Sequence, residues 1–233
     1  MRPLIGITLG DPAGIGPEIT VKALADHPVS EKCRPLVIGD VRVLKNAAQI
    51  VGRSSIRING IENPSEGEYR PGCIDVIDMK NVDPETLAVG KVSAVAGEAA
   101  FQYVLEKINR GMKIKKAIGL AMAGEVDATV TNARNKEALN LAGRHYSGHT
   151  EIYAEFTGTE KYTMMLAHKN LRVVHVSTHV ALREACDRVK KDRIIEVIRI
   201  AEQACKDMGI GNPRIGVAGL NPHCGENGLF GRE

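Results

Sequence analysis

The chain has no Trp, and only 3% of its 233 residues are aromatic. Single-stranded nucleic acid is held largely by stacking bases on aromatic rings, so a surface of that kind is poorly supplied and nucleic acid is not an expected partner. Cysteine is sparse as well. The five present (Cys33, Cys73, Cys186, Cys205, Cys224) are odd in number and show no CxxC spacing. That pattern fits a reducing compartment better than a disulfide framework, and the cytoplasm is the expected location. Long hydrophobic runs are missing: no segment approaches the roughly 20 apolar residues that span a bilayer. Met1 leads directly into an apolar, strand-like stretch without a basic region or a small-residue cleavage site. Charge of one sign is lacking too. The net charge is +3 with Lys and Arg spread along the chain, which implies neither a membrane surface nor a polyanion as partner. What remains is ordinary globular usage, 43% hydrophobic and 25% charged, in a chain longer than one average domain. One large or two modest domains are expected.

Helical and strand signals alternate. Leu4 to Leu9 is a short apolar run broken by Gly10, and Pro17 with Glu18 suits the first turn of a helix. Pro35 to Gly39 repeats the strand signal, followed by Val41, Leu44, Ala48 and Val51 on one helical face up to Gly52. Asn59 to Gly72, rich in Gly, Pro and Glu, reads as loop, and Ile74 to Ile77 as strand. An Ala-rich helix is predicted from about Lys91 to Ala123, with Gly111 as a point of interruption and Gly124 as its stop. Ala128 to Thr131 reads as a buried strand, Asn135 to Ala142 as a short helix, and a domain boundary is placed between residues 127 and 128. Tyr162 to Ala167 and Leu171 to Val176 read as two strands of a hairpin joined by His168, Lys169 and Asn170. Ile194, Ile198, Ala201, Cys205 and Met208 define an amphipathic helix closed by Gly209, and Ile215 to Ala218 a last strand. The expected class is α/β with mixed, mostly parallel sheets: a first domain over residues 1–127 and a second over 128–233.

Open α/β sheets bind ligands beyond the carboxyl ends of their strands, so polar residues just after apolar runs are the candidates. Gly10-Asp11-Pro12-Ala13-Gly14-Ile15-Gly16-Pro17-Glu18 is not GxGxxG. Its glycines either let backbone approach a ligand at a helix start or only satisfy a tight strand-to-helix turn. His179 and His223 each follow a predicted strand, and imidazole is a common ligand of Zn²⁺ and other divalent metals, yet two ligands make an incomplete site and their spacing is no recognised motif. In Tyr146-Ser147-Gly148-His149-Thr150-Glu151 a helix start offers amide groups to a phosphate or carboxylate, or is simply an N-cap with His149 exposed. Lys136, just past the Ala128 to Thr131 strand, either pairs with an anionic substrate or, the favoured reading, is a solvated helix lysine.

Together, Gly10 to Glu18, Tyr146 to Glu151, Val174 to Arg183 and Gly219 to Gly231 resemble the 4-hydroxythreonine-4-phosphate dehydrogenase family, over Ile5 to Glu233. The last three segments are most similar to the branch acting on 4-phosphorylated D-threonate or D-erythronate. The resemblance implies a fold like that of isocitrate and isopropylmalate dehydrogenases, with two α/β domains flanking a cleft and a homodimer whose active site lies at the subunit interface. It implies His149 and Thr150 as substrate-binding residues, and His179 and His223 as two of three histidines holding a divalent metal (Zn, Mn, Mg or Co). The implied reaction is NAD-dependent oxidation of a small phosphorylated hydroxy acid to a 3-keto acid, followed by decarboxylation. An alternative substrate is 4-phosphohydroxy-L-threonine, in pyridoxal phosphate synthesis.

The sequence departs from the family in two respects. Ala133 and Arg134 stand where the family usually has Pro and an aliphatic residue, so a large cation either alters substrate choice or points outward. The chain also ends at Glu233, whereas the family continues through the third metal histidine and most of the NAD-contacting segment. Catalytic and cofactor-contacting residues are therefore not assigned. The expectation is the N-terminal portion of a dehydrogenase; the contrasting one is a non-catalytic protein that binds a metal or phospho-acid.

Overall fold

A computed structural model describes residues 2–25, 27–83, 85–105, 117–146 and 148–233 and divides the chain into two compact units, Met1–Thr157 and Gly158–Glu233. The first runs β1 (Leu4–Thr8), α1 (Gly16–Ala25), α2 (His27–Lys32), β2 (Arg34–Gly39), α3 (Val41–Ile50), β3 (Arg57–Ile61), β4 (Cys73–Asp78), α4 (Ala94–Val104), α5 (Ala117–Met122), β5 (Ala128–Thr131), α6 (Lys136–Leu141) and α7 (His149–Thr157). Its sheet has the order β3-β4-β2-β1-β5 and every pairing is parallel. Parallel strands covered on both faces need apolar residues at consecutive positions. Leu36, Val37 and Ile38 of β2, and Ile74, Val76 and Ile77 of β4, supply them and are buried. Helix α3 begins where the fully buried Asp40 carboxylate accepts from the Arg42 amide at 2.8 Å, and the Arg42 guanidinium pairs with that carboxylate at 3.2 Å. Val43, Leu44, Ala47 and Ala48 then face the core.

Three expectations are corrected in this unit. The segment 59–72 is not all loop, because β3 pairs with β4 from Arg57↔Cys73 to Ile61↔Ile77. As an edge strand, β3 needs no continuous apolar run; its Asn59 amide instead donates to the buried Asp75 carboxylate at 2.7 Å, which also accepts from the amides of Glu68 and Tyr69. The helix expected from Lys91 to Ala123 is not continuous: Ser93 caps α4, which ends at Val104 because Leu105 is extended (ψ 150°) and buried. Gly111 lies outside the described residues. The boundary expected at 127/128 falls inside the first unit, because β5 pairs with β1 from Ile5↔Ala128 to Thr8↔Thr131.

The second unit contains β6 (Met165–His168), β7 (Leu171–Val174), α8 (Leu182–Arg188) and α9 (Lys191–Asp207). β6 and β7 form the expected antiparallel hairpin as a separate two-stranded sheet. The predicted amphipathic helix is α9: Val197, Ala201 and Cys205, four residues apart, are its buried face, and Gly209 beyond its end has φ 84°. Arg193 ties α9 to the chain before β6 and after β7 by donating to the Tyr162 and Val176 carbonyls at 2.8 and 3.3 Å. Ile215 to Ala218 forms no strand: among the described residues no neighbouring strand gives it a hydrogen-bonded ladder, and Ile215 and Val217 are exposed.

Helix α4 lies against α6 so closely that a Cβ at Gly97 would overlap the Ala138 carbonyl oxygen. Backbone cannot yield there as a flexible side chain could. Gly97→Ala is therefore expected to destabilise the protein by about 3 kcal/mol, whereas Gly211→Ala should stay within about 0.5 kcal/mol, since nothing lies within 4 Å of a Cβ at Gly211. Urea unfolding midpoints read the difference, and equal midpoints would contradict this account of the α4–α6 contact.

Candidate functional site

The loop after β1 and the loop after β5 are joined at the carboxyl ends of their strands. The Asp11 amide donates to the Ala133 carbonyl at 2.9 Å, and the Asn132 side-chain amide donates to the Gly16 carbonyl at 2.9 Å and to Thr20 Oγ1 at 2.8 Å. The same Asn132 accepts from the Ala133 amide at 2.9 Å. A Cβ on Gly10 (φ 78°) would strike the Ala133 carbonyl oxygen, and one on Gly16 the Leu9 carbonyl oxygen. Both glycines thus have a sufficient cause within the chain, the tight packing of backbone on backbone. Of the two uses open to this loop, the strand-to-helix turn is the one the geometry accounts for.

That junction fixes the start of a polar cluster. Arg134 lies three residues beyond β5, and His149, Thr150, Glu151 and Tyr153 lie along the first turns of α7. Tyr153 donates to Thr129 Oγ1 of β5 at 2.9 Å, holding α7 to the edge of the sheet. Arg134 is half-buried rather than pointing freely outward, and burial pushes its pKa down to about 10, opposed by Tyr153 and Glu151. Burial first, and then the Arg134 charge, push the His149 imidazole down to about 4, with Glu151 acting in the opposite direction. His149 is accordingly neutral at ordinary pH. Among the described residues, Arg134 Nε and Nη1, His149 Nε2 and Glu151 Oε2 are buried without a hydrogen-bond partner. Buried polar atoms are nearly always paired, with protein or with ordered water, so several orphans in one place make this cluster the candidate site.

His149 and Thr150 therefore sit together at the start of α7, and His149 is half-buried rather than an exposed N-cap residue. Arg134, Glu151 and Tyr153 join them. Arg134 was legible only as a departure from the pattern of the family that the sequence resembles; nothing in its spacing marks it. Lys136 is exposed at the start of α6, as a solvated lysine would be. In the second unit, His179 and His223 are both exposed, and both have backbone in the left-handed region, with φ 54° and 52°. The His223 ring lies 5.7 Å from that of Phe230. Among the described residues no three His, Cys, Asp or Glu side chains gather to hold a metal ion. An apolar groove of about 750 Å³ between β7, α9 and residues 212–218 contains neither histidine.

The His149 assignment can be read by titration. The ¹⁵N and ¹H shifts of its ring are expected to report a pKa near 4, and Arg134→Leu is expected to raise that value, though not to the ordinary 6.5, because burial remains. The unfolded chain then binds more protons than the folded one between pH 6.5 and 4, so this group's contribution to stability falls as pH drops through that window. An imidazole that titrates near 6.5 in the folded protein would contradict the buried, cation-flanked environment.

Residues 31–233 match the family described as pyridoxal phosphate biosynthetic protein PdxA. The D-threonate 4-phosphate dehydrogenase of Cupriavidus necator is 46% identical over 229 residues, which are 98% of this chain and 65% of that protein. The chain thus spans somewhat less than two thirds of the length of that curated relative. Among solved structures, a 4-hydroxythreonine-4-phosphate dehydrogenase from Klebsiella pneumoniae superposes with a TM-score of 0.86 at 41% identity, over 99% of this chain and 66% of its own. One from Burkholderia phymatum gives 0.82 at 45% identity, over 100% of this chain and 67% of its own. The parallel α/β sheet, the extent of the sequence match and these superpositions together establish that the chain belongs to the PdxA family.

Proposed function

We propose that this chain belongs to an NAD-dependent, divalent-metal-dependent dehydrogenase acting on a 4-phosphorylated hydroxy acid, with 4-phospho-D-threonate or 4-phospho-D-erythronate as substrate. The observation that carries the proposal is the orphaned polar cluster at the carboxyl end of β5, in a chain whose relatives are named as dehydrogenases of phosphorylated substrates. The cluster lies where open α/β sheets bind their ligands. His149 and Thr150 are the proposed substrate-binding residues. His149, neutral at ordinary pH, can offer Nε2–H to an anionic oxygen, and the amides in the first turn of α7 add partial positive charge beside it.

In the proposed reaction the substrate's secondary alcohol loses its hydroxyl proton and passes a hydride to NAD⁺, giving NADH and a 3-keto acid. Loss of CO₂ and addition of a proton at the former α-carbon then give a phosphorylated ketone. A nicotinamide supplies the hydride acceptor because no side chain can take that role. His179 and His223 are the proposed ligands of a divalent metal, which would supply Lewis acidity toward the substrate's oxygens. Their left-handed backbone is shared by Tyr69, Lys80, Lys169, Cys224, Glu226 and Asn227, so the assignment is supported by the family resemblance. Two imidazoles do not complete a catalytic metal site, which ordinarily takes about three protein ligands. The proposal therefore assigns the remaining donors and the NAD contacts to the rest of a family-length homodimer in the cytoplasm.

A second reading has one observation in its favour. Because no three-ligand cluster gathers among the described residues, a protein of this fold that binds a phospho-acid without turning it over is the competing function. Absorbance at 340 nm separates the two. With NAD⁺, Zn²⁺ or Mn²⁺ and 4-phospho-D-threonate, the family-length protein is expected to form NADH, to lose that activity to a chelator, and to act more slowly on 4-phosphohydroxy-L-threonine. If neither this chain nor its family-length form makes NADH from any of these acids, the dehydrogenase proposal fails. A preference for 4-phosphohydroxy-L-threonine would move the protein to the pyridoxal phosphate branch.

A further inference from the structure

We infer that Arg134, together with His149, forms an oxyanion subsite that takes the phosphate or carboxylate end of a ligand, and that Arg134 gives this chain an ionic contact at that subsite. Identifying the ligand as a phosphorylated hydroxy acid rests on the function proposed above; the subsite itself rests on the cluster's geometry. Arg134 Nε and Nη1 are buried, and neither has an acceptor among the described residues. A guanidinium shielded from water loses hydration and must recover it from an acceptor, or the arrangement is strongly disfavoured.

Among the described residues, the groups that surround Arg134 do not provide that acceptor. Tyr153, which packs beside it, directs its hydroxyl to Thr129. Glu151 acts on both Arg134 and His149 through its charge, yet its Oε2 is itself buried without a partner, so the carboxylate does not satisfy the guanidinium. His149 contributes an orphaned Nε2 rather than an acceptor already in use. The amides at the start of α7, nine residues long, lie next to His149. Cation, imidazole and helix amides are all suited to an oxyanion, and both phosphate monoesters and carboxylates meet that description. The Glu151 carboxylate repels an anion from its own side, which favours the side of Arg134. Lys at position 134 would keep the charge but lose the several donors that a planar guanidinium presents.

The test uses the whole chain without NAD or metal and follows the Arg134 Nε–H and His149 ring resonances during titration with inorganic phosphate or acetate, against chloride at matched ionic strength. Saturable shifts at both residues, with a rise in the His149 pKa as the anion binds, are the expected result. Tighter phosphate assigns the subsite to a phosphate monoester, and tighter acetate to a carboxylate. Arg134→Leu should weaken binding by about tenfold to a hundredfold, the equivalent of one charge-assisted contact, and Arg134→Lys should restore part of the loss. If neither anion moves the wild-type resonances beyond the chloride control, or if Arg134→Leu binds as tightly as wild type, the inference is overturned. The wild-type titration decides the question even if the leucine variant does not fold. Because the probe is a bare anion, phosphate binding that survives alongside a failure to form NADH counts against the dehydrogenase proposal and not against the subsite.

Discussion

The hydrogen bonds of Asn132 and of the Asp11 amide hold the loop after β5 against the loop after β1, and the polar cluster depends on that junction. Among the described residues β5, four residues long, pairs on one side only, so its own ladder does little to fix the residues after it. The direction of Arg134 is set instead by the two residues before it, one of which donates to Gly16 and Thr20 while the other accepts from Asp11. Gly10 belongs to the same device, since a side chain there would push the two loops apart, while one at Gly16 would strike Leu9 within the loop after β1. A motif that resembles a ligand-binding glycine loop therefore acts at one remove: it holds the chain that carries the cation.

Much of the fold was legible because its signals are local. The consecutive apolar residues of β2 and β4, the four-residue spacing along α9 and the short connection between β6 and β7 each follow from a residue's immediate neighbours. The features that were not legible depend on distant partners. β3 contains Asn59 and Gly60, which read as turn residues, and it is a strand only because β4 and the buried Asp75 lie beside it. Ile215 to Ala218 has the opposite fate, with apolar character that suits a strand but no neighbour among the described residues to pair with. The division of the chain was misplaced for the same reason: β5 joins the sheet through β1, more than a hundred residues earlier, and only the pairing reveals it.

The candidate site obeys the same rule. His149 and Thr150 stood out because a Gly and a helix start mark their position, and the structure places them at the start of α7, with His149 half-buried and its Nε2 without a partner among the described residues. The low pKa of His149 could not be read from sequence, since it comes from burial and from Arg134, fifteen residues away along the chain. Arg134 could be noticed as an unexpected cation, but whether it faced solvent or the site depended on the Asn132 junction. His179 and His223 remain residues whose role rests on family resemblance.

The most direct measurement is the titration of His149 in the Asn132→Ala protein. If the junction holds Arg134 beside the imidazole, removing the Asn132 bonds should loosen that loop, weaken the effect of both burial and charge, and raise the His149 pKa above its value of about 4. An unchanged pKa, in a protein that is otherwise folded, would mean that the cluster is held by something other than the contact on which this account depends.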